Sequence, residues 1–523
     1  MQKKSTFVKR LIIIVLSLFS LNINAQEKPN IIIVLTDDAG YADWGFQNVL
    51  GVKGSELIET PNIDKLKAEG TYFSQAYVTN SVCGPSRAGL ITGRYQNRFG
   101  YETNPSKFIA PGKSHSDVGL DTNEVTIANY LKQQDYTTAA IGKWHLGDMD
   151  YHHPNNRGFD YFYGLLSGSR PYFHTNDLEP DKKLMRNKEV DDLTEGYMTD
   201  VLTSDALNWM KKQADSNKPF FTYLSYTAVH GPYQSKKEDF ERYNNSKGIK
   251  GEPCDEKRQN YAAMTYSLDY NVGKLVDSLK AWNVFENTLI FFLNDNGGKG
   301  PGKISNNRPL RGGKSDPYEG GLRVPMFMIW KGQVPENVIY SKQVISLDLA
   351  ATIIKAAGGK LPKKNKLDGV DLLPVVNKTT LTAHEYLFWR KFQNYAVAKK
   401  GNHKIIIHYK KFGNADNDTA YYVLNNNGAG EKKNLYKGNR TTITNDLIHK
   451  YNEWESEMIN PYWMGATLVK KNCGKTTSNY LNCDAVKSFY GLSSSDKKIQ
   501  IDKETKGHNK KVSGKKKKKN NVN

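Results

Sequence analysis

Cysteine is scarce in this chain of 523 residues: four in all, at positions 83, 254, 473 and 483. So few exclude a fold stapled throughout by disulfides, and stability must come from a packed core. Cys473 and Cys483 lie close in sequence and could pair, a point that spacing alone leaves open. No internal repeat is present. The apolar run from Leu11 to Leu21, interrupted by Ser17 and Ser20, is too short for a membrane span. No cysteine lies near its end, which argues against a lipid anchor there. Aromatic residues are plentiful, with 31 Tyr, 20 Phe and 8 Trp, as expected of a packed globule. The length allows a large core and a second lobe.

The formal charge of +20 would suit nucleic acid, but most of it sits at the two ends. Residues 1–25 carry Lys3, Lys4, Lys9 and Arg10 and no acid. Residues 487–523 carry twelve lysines against Asp496, Asp502 and Glu504. Removing these contributions of +4 and +9 leaves +7 for residues 26–486. That mild excess suits an anionic small molecule or glycan, and no nucleic-acid partner is implied. The N-terminal segment reads as a secretory signal: a basic region, an apolar run, then a small residue at Ala25 for cleavage. Periplasmic or secreted protein without a stable membrane anchor is the expectation. The tail ending GKKKKKNNVN reads as solvated disorder, with a polybasic binding arm as the alternative.

Several apolar, β-rich runs end in chemically useful residues. Ile31 to Leu35 leads to Asp37-Asp38, and Thr137 to Ile141 leads to Lys143-Trp144-His145. Phe220 to Tyr226 leads to His230, and Leu289 to Leu293 leads to Asp295-Asn296. Such runs predict buried strands of a mostly parallel sheet, and ligands of α/β sheets sit beyond the strands' carboxyl ends. Helices are expected between them. One opens at Thr60-Pro61 and closes at Gly70, one follows the three-and-four spacing of Tyr261, Met264, Leu268, Val272, Leu275 and Leu279, and one spans Ser346 to Ala357. After about Pro374, short runs at 395–398, 404–407 and 420–424 predict a small antiparallel sheet, and Leu447 to Met458 a final helix. The division is thus a signal at 1–25, a large α/β domain at 26–375, a smaller α+β domain at 376–486 and a tail at 487–523.

In Cys83-Gly84-Pro85-Ser86-Arg87, Pro85 suits a first helical turn and Gly93 its end. Cys83 then sits at a helix N-terminus, where the dipole favours an anion and a thiol could become a reactive thiolate. This segment, continued through Ala88-Gly89-Leu90-Ile91-Thr92-Gly93-Arg94, resembles the modification signature of the type I, formylglycine-dependent sulfatase family. Asp37-Asp38 with Gly40-Tyr41, Gly142-Lys143-Trp144-His145-Leu146-Gly147, Asp295-Asn296-Gly297, Gly312-Gly313-Lys314 and Glu319 to Pro325 extend the match in the family's order. The likeness is to carbohydrate and polysaccharide sulfatases of marine or gut Bacteroidetes-type bacteria. It implies an alkaline-phosphatase-like α/β sandwich with a smaller C-terminal α+β domain.

The resemblance further implies that Cys83 is oxidised to formylglycine by a formylglycine-generating or anaerobic sulfatase-maturating enzyme. A hydrated aldehyde carries two hydroxyls on one carbon. One attacks sulfur and expels the alcohol; the other loses its proton, so that the carbon returns to aldehyde and sulfate leaves. Asp37, Asp38, Asp295 and Asn296 form an oxygen set that selects calcium or magnesium over zinc. The family implies one calcium, with the formylglycine oxygen at position 83 as a further ligand. Arg87, Lys143 and Lys314 would bind sulfate oxygens, His145 would contact the formylglycine, and His230 would bind substrate and protonate the leaving oxygen. His230 sits in Ala228-Val229-His230-Gly231-Pro232, where the family often has proline before the histidine. Ser169-Arg170, His174 and the loop 301–309 are candidate substrate contacts, whereas His152 and His153 carry no such motif. The expected activity is hydrolysis of sulfate esters on algal polysaccharide or glycosaminoglycan oligosaccharides. A phosphomonoesterase, phosphodiesterase or phosphonate hydrolase of the same superfamily could use the same fold and acids, and an inactive module could bind sulfated glycan.

Overall fold

In chain order the strands are β1 (Asn30–Thr36), β2 (Thr71–Tyr77), β3 (Phe108–Ile109), β4 (Thr137–Lys143), β5 (Tyr161–Leu165), β6 (Met185–Arg186), β7 (Glu189–Val190), β8 (Phe220–Ser225), β9 (Thr288–Asn294), β10 (Met326–Ile329), β11 (Val338–Ile345), β12 (Tyr386–Lys391), β13 (Tyr395–Lys400), β14 (His403–Tyr409), β15 (Asn417–Val423) and β16 (Trp463–Met464). The main helices are α1 (Pro61–Ala68), α2 (Cys83–Thr92), α3 (Met198–Asp215), α4 (Glu256–Ala281), α5 (Asp348–Ala356), α6 (Thr442–Glu455) and α7 (Ala466–Cys473). These come from a computed structural model that describes residues 28–487 apart from 50, 52–56, 176, 192–194, 410–416, 426, 437–440, 474–482 and 484–485. The signal segment and the tail beyond residue 487 lie outside the described residues.

Ten strands form one sheet in the order β11-β2-β10-β9-β1-β8-β4-β5-β6-β7. β9, β1, β8, β4 and β5 run parallel, whereas β10 is antiparallel to both β9 and β2. All seven residues of β1 are buried because both faces of the sheet are covered. Ile32 and Val34 face one core with Leu202 of α3 and Met264, Leu268 and Val272 of α4. Ile31, Ile33 and Leu35 face the other with Ala88 and Leu90 of α2 and Leu349 and Ile353 of α5. This explains why the run is continuous rather than alternating. Truncating Ile33 to alanine would remove packing worth about 2–5 kcal/mol. The four anticipated strands lie side by side as β9-β1-β8-β4, so their polar ends meet at one edge.

The second sheet is antiparallel, β12-β13-β14-β15. Leu447, Tyr451 and Trp454 of α6 share its core with Trp389, Val397 and Ile405. Fully buried Lys404 on β14 binds Glu319 at 2.9 Å and Glu431 at 2.8 Å. Glu319 belongs to the Glu-Gly-Gly-Leu-Arg stretch of the large domain, so this ion cluster ties the two sheets together.

Three expectations need correction. The helix at 447–458 begins earlier, at Thr442, and is not the last, because α7 follows it. Thr60 does not cap α1 with its side chain; its hydroxyl accepts from Gly45 N–H and donates to Asp64. β2, β5, β10, β11 and β12 were not anticipated as strands. Cys473 and Cys483, left open above, are joined as a disulfide. Among the described residues no helix is long and apolar enough to cross a membrane.

Candidate active site

The parallel register delivers the chemistry. β1 runs on into Asp37 and Asp38, β9 into Asp295, and β4 ends at Lys143 itself. Asp37 donates its N–H to Ala228 O, and Val229 donates back to Asp37 O, both at 2.8 Å, which docks the His230 segment on the end of β1. Asp38 and His145 both adopt left-handed backbone, with φ of 58° and 60°. Such conformations cost free energy in non-glycine residues and persist where the surroundings hold them.

α2 starts at Cys83, with Val82 in extended conformation before it and left-handed Gly93 after it. The Gly84 N–H donates to Asn104 Oδ1 at 2.9 Å. Cys83 Sγ lies 3.4 Å from Asp37 Oδ1, 3.7 Å from Asp38 Oδ1 and 3.2 Å from Lys314 Nζ. Burial, with Asp295 and Asp37 adding to it, pushes the thiol well above its usual range. The reactive thiolate suggested by the helix N-terminus is therefore not what these surroundings favour, because burial, helped by the carboxylates, outweighs the dipole.

One turn on, Arg87 is fully buried. Its Nε and Nη2 donate to Asp295 Oδ2 at 3.0 and 2.8 Å, and its Nη1 donates to Ser225 Oγ at 2.5 Å and Lys143 O at 3.2 Å. Lys143 donates to Asp37 Oδ2 at 2.6 Å and Lys314 to Asp38 Oδ2 at 2.7 Å. Three carboxylates thus face three cations. Burial works against ionising Asp37, but Lys143, His230, Arg87 and Lys314 outweigh it and hold its carboxyl far below the usual range. Burial and the neighbouring Asp37 instead push Asp295 up to about 6.

His230 Nδ1 lies 2.6 Å from Gly231 O, which makes that nitrogen the donor and turns Nε2 inward, 3.5 Å from Asp38 Oδ2. Asp37, Asp38, Cys83 and His230 offer ligand atoms within 4.8 Å of one another. Asp295 and Asn296 join this group through hydrogen bonds: Asp38 N donates to Asp295 Oδ1 at 3.2 Å, and Asn296 Nδ2 to Asp38 Oδ1 at 2.8 Å. Asn296 Oδ1 is buried and makes no hydrogen bond. His145 stands apart. Its Nδ1 is buried and unpaired, its backbone carbonyl accepts from Tyr101, and it lines a cavity of about 290 Å³ with Lys107, His115 and Gly168. Burial, Lys143 and Arg87 hold it neutral.

Residues around the loop 301–309 act differently from expectation. Asn306 and Asn307 are buried, and they bind the backbone of Ala42, Tyr41 and Gly298, so they brace the segments that follow Asp38 and Asn296 rather than face solvent. Arg170 is buried while His174 is exposed. Sequence reasoning missed Ser225, Asn104 and Asp43. Asp43 accepts from Arg258, Tyr261 and the Asn306 N–H, each at 2.8 Å. None of these residues stands in a motif that would have flagged it.

The sulfatase family model matches residues 29–359. The chain belongs to the sulfatase family. It is a sulfuric ester hydrolase by descent, and the model for the C-terminal part of N-sulphoglucosamine sulphohydrolase matches residues 314–457. N-acetylgalactosamine-6-sulfatase of Mus musculus is 30% identical to this sulfatase, with 74% of this chain and 73% of the relative covered. A sulfatase of Formosa agariphila is 29% identical, with 89% of this chain and 94% of the relative covered. The crystal structure of Ps i-CgsB in complex with k-i-k-neocarrahexaose superposes with a TM-score of 0.73 at 35% identity, covering 87% of this chain and 99% of that one.

Proposed function

We propose that this sulfatase is exported and hydrolyses sulfate esters of carbohydrates, using formylglycine made from Cys83 and one calcium ion. The observation that carries this is the convergence of Cys83 with Asp37, Asp38 and Lys314 within 3.7 Å at the carboxyl edge of the sheet. The carbohydrate substrate class is supported by a galactosamine sulfatase among the relatives and by the neocarrahexaose complex among the structures.

The donor set fits a hard divalent cation. Asp37, Asp38, Asp295 and Asn296 present buried oxygens, and Asn296 Oδ1 has no hydrogen-bond partner among the described residues. An unpaired buried carbonyl oxygen is costly unless a ligand satisfies it. Calcium there supplies a Lewis acid that polarises a sulfate oxygen and favours ionisation of a hydroxyl at position 83. Its two positive charges offset the ester anion and the ionised nucleophile, which the balanced set of three acids and three cations does not. The aldehyde at Cys83, once hydrated, supplies both the attacking hydroxyl and a second one for release.

The chain's own groups then have separable tasks. Lys314, beside Sγ and Asp38, and Lys143, on Asp37, place positive charge where sulfate oxygens gather negative charge. Arg87 fixes Asp295 and thereby the spacing of the acids. His230 turns Nε2 toward the acid cluster; burial lowers its pKa, and only in its doubly protonated form would Nε2 give the departing alcohol oxygen a proton while Nδ1 stays on Gly231 O. His145, held neutral and without a hydrogen bond at Nδ1 among the described residues, would be the base for release if position 83 carries the hydrated aldehyde. The test is a peptide mass at Cys83 after co-expression with a maturation enzyme, followed by release assays on nitrophenyl sulfate, nitrophenyl phosphate and a panel of defined sulfated oligosaccharides. Full turnover by protein with an unmodified Cys83, or preference for phosphate, would refute the reading.

A further inference from the structure

A cavity of about 340 Å³ opens beside the nucleophile segment, lined by Val82, Asn104, Ser315, Lys391 and Gln393 among others. Val82 immediately precedes Cys83, Ser315 immediately follows Lys314, and Asn104 holds the Gly84 N–H. One wall is therefore the reaction site's own frame. The other walls come from the hairpin that joins β12 to β13 and from the segment running from Pro461 through β16 to Leu468.

That hairpin is fixed in place. The Asn394 N–H donates to Lys391 O at 2.8 Å, closing a tight turn. Glu102 accepts from Arg390 Nε and from the Phe392 N–H, each at 3.0 Å, one residue to either side of Lys391. Lys391 pairs directly with Tyr395 across the ladder, so the two side chains share a face. The Tyr395 hydroxyl meets Ser81 Oγ at 2.9 Å, two residues before Cys83. The face that carries Lys391 is thus the face turned to the nucleophile.

The Lys391 side chain is half-buried, yet among the described residues its ammonium has no hydrogen bond or ion pair. Burial pulls it down to about 8 against the attraction of Asp316. A desolvated cation without a partner is costly and is normally matched by an anion. Arg87, Lys143 and Lys314 already have their carboxylates.

We propose that Lys391 selects substrates by binding a second anionic substituent, a sulfate ester or a carboxylate, on the sugar that bears the scissile sulfate or its neighbour. This rests on the carbohydrate sulfatase reading above. It gives the small sheet a role in specificity: it carries a charge reader, rigidly held, to the rim of a site built wholly by the large domain.

The test uses the full chain with Cys83→Ala, so that no turnover intervenes, and calorimetric Kd values for two probe pairs. ι-Neocarratetraose against κ-neocarratetraose differs in sulfate content, and a 6-sulfated chondroitin disaccharide against its uronate methyl ester differs in one carboxylate. In one pair or the other the more charged probe should bind at least about tenfold tighter, the size of one charge-assisted hydrogen bond. The pair that responds identifies the anion. Lys391→Met should abolish that preference while weakening the less charged probe little, and Lys391→Arg should keep most of it. No preference in the parent for either pair, or the same preference in Lys391→Met, overturns the proposal. The broader reading fails separately, through absence of sulfate release by aldehyde-bearing wild-type protein, since the Kd ratios need no turnover.

Discussion

Removing the His230 imidazole should harm two kinds of substrate very unequally. Gly231 O holds the Nδ1 proton at 2.6 Å, so a proton for a departing oxygen must come from Nε2 of the imidazolium form, which burial disfavours and Asp37 and Asp38 favour. A sugar alkoxide is strongly basic and needs that proton as the S–O bond breaks, whereas nitrophenolate leaves readily without it. General acid help is worth about 10²–10⁴ in rate, or about 2.7–5.4 kcal/mol of barrier. His230→Ala should therefore lower kcat/KM on a sugar sulfate by that factor and on nitrophenyl sulfate by less than about tenfold. The assay is kcat/KM on both substrates with aldehyde fraction and calcium content matched. The calcium measurement matters because His230 Nε2 lies 3.5 Å from Asp38 Oδ2, within the group of potential ligands. Equal losses on both substrates, or loss of calcium from the variant, would refute the acid role and make His230 a ligand or a sulfate contact.

Chelation should abolish turnover, and calcium should restore it better than zinc, because the donors at the acids are oxygens; active protein free of divalent metal by elemental analysis would contradict this. Lys404→Met should destabilise the fold by about 3–5 kcal/mol in denaturant titration, because buried Glu431 would lose its ion pair and buried Glu319 would keep only the longer one to Arg323; a change under about 1 kcal/mol would show that the cluster is dispensable. His384→Asn should cost more stability at pH 5 than at pH 8. Burial opposes charge on this histidine, but Asp348 Oδ1 at 2.7 Å outweighs it and raises its pKa above 6.5. The stabilisation is then complete below pH 6.5 and is lost as pH rises through the raised value, so a pH-independent difference in melting temperature would refute it.

The sequence by itself determined the parts that are local. β1, β4, β8 and β9 were legible because strands covered on both faces must be apolar throughout, and their last residues are polar for chemical reasons. Cys83 to Arg94 was legible as one contiguous segment whose Pro85 and Gly93 mark a helix start and end. β2 escaped because Ser74 and Gln75, half-buried near one edge of the sheet, interrupt its apolar pattern. β12 escaped because Arg390 and Lys391 end it with charge, and Arg390 is matched by Glu102 and Glu455, far away in the chain.

Tertiary structure alone decided which charge meets which. Nothing in the motifs says that Arg87 spends itself on Asp295 and Ser225, that Asn306 braces Asp43, or that Lys404 is neutralised by Glu319. These pairings join residues up to hundreds of positions apart, and each depends on sheet register and on how the smaller sheet docks. The same holds for Cys83: its position at a helix N-terminus suggested an ionised thiol, and burial together with the carboxylates assembled around it reversed that. It holds for Lys391 as well, an ordinary strand-end lysine until the hairpin carries it to the cavity beside the nucleophile. Local sequence sets backbone shape and apolar pattern, whereas the electrostatic environment of a buried group is a sum over neighbours that only the folded chain brings together.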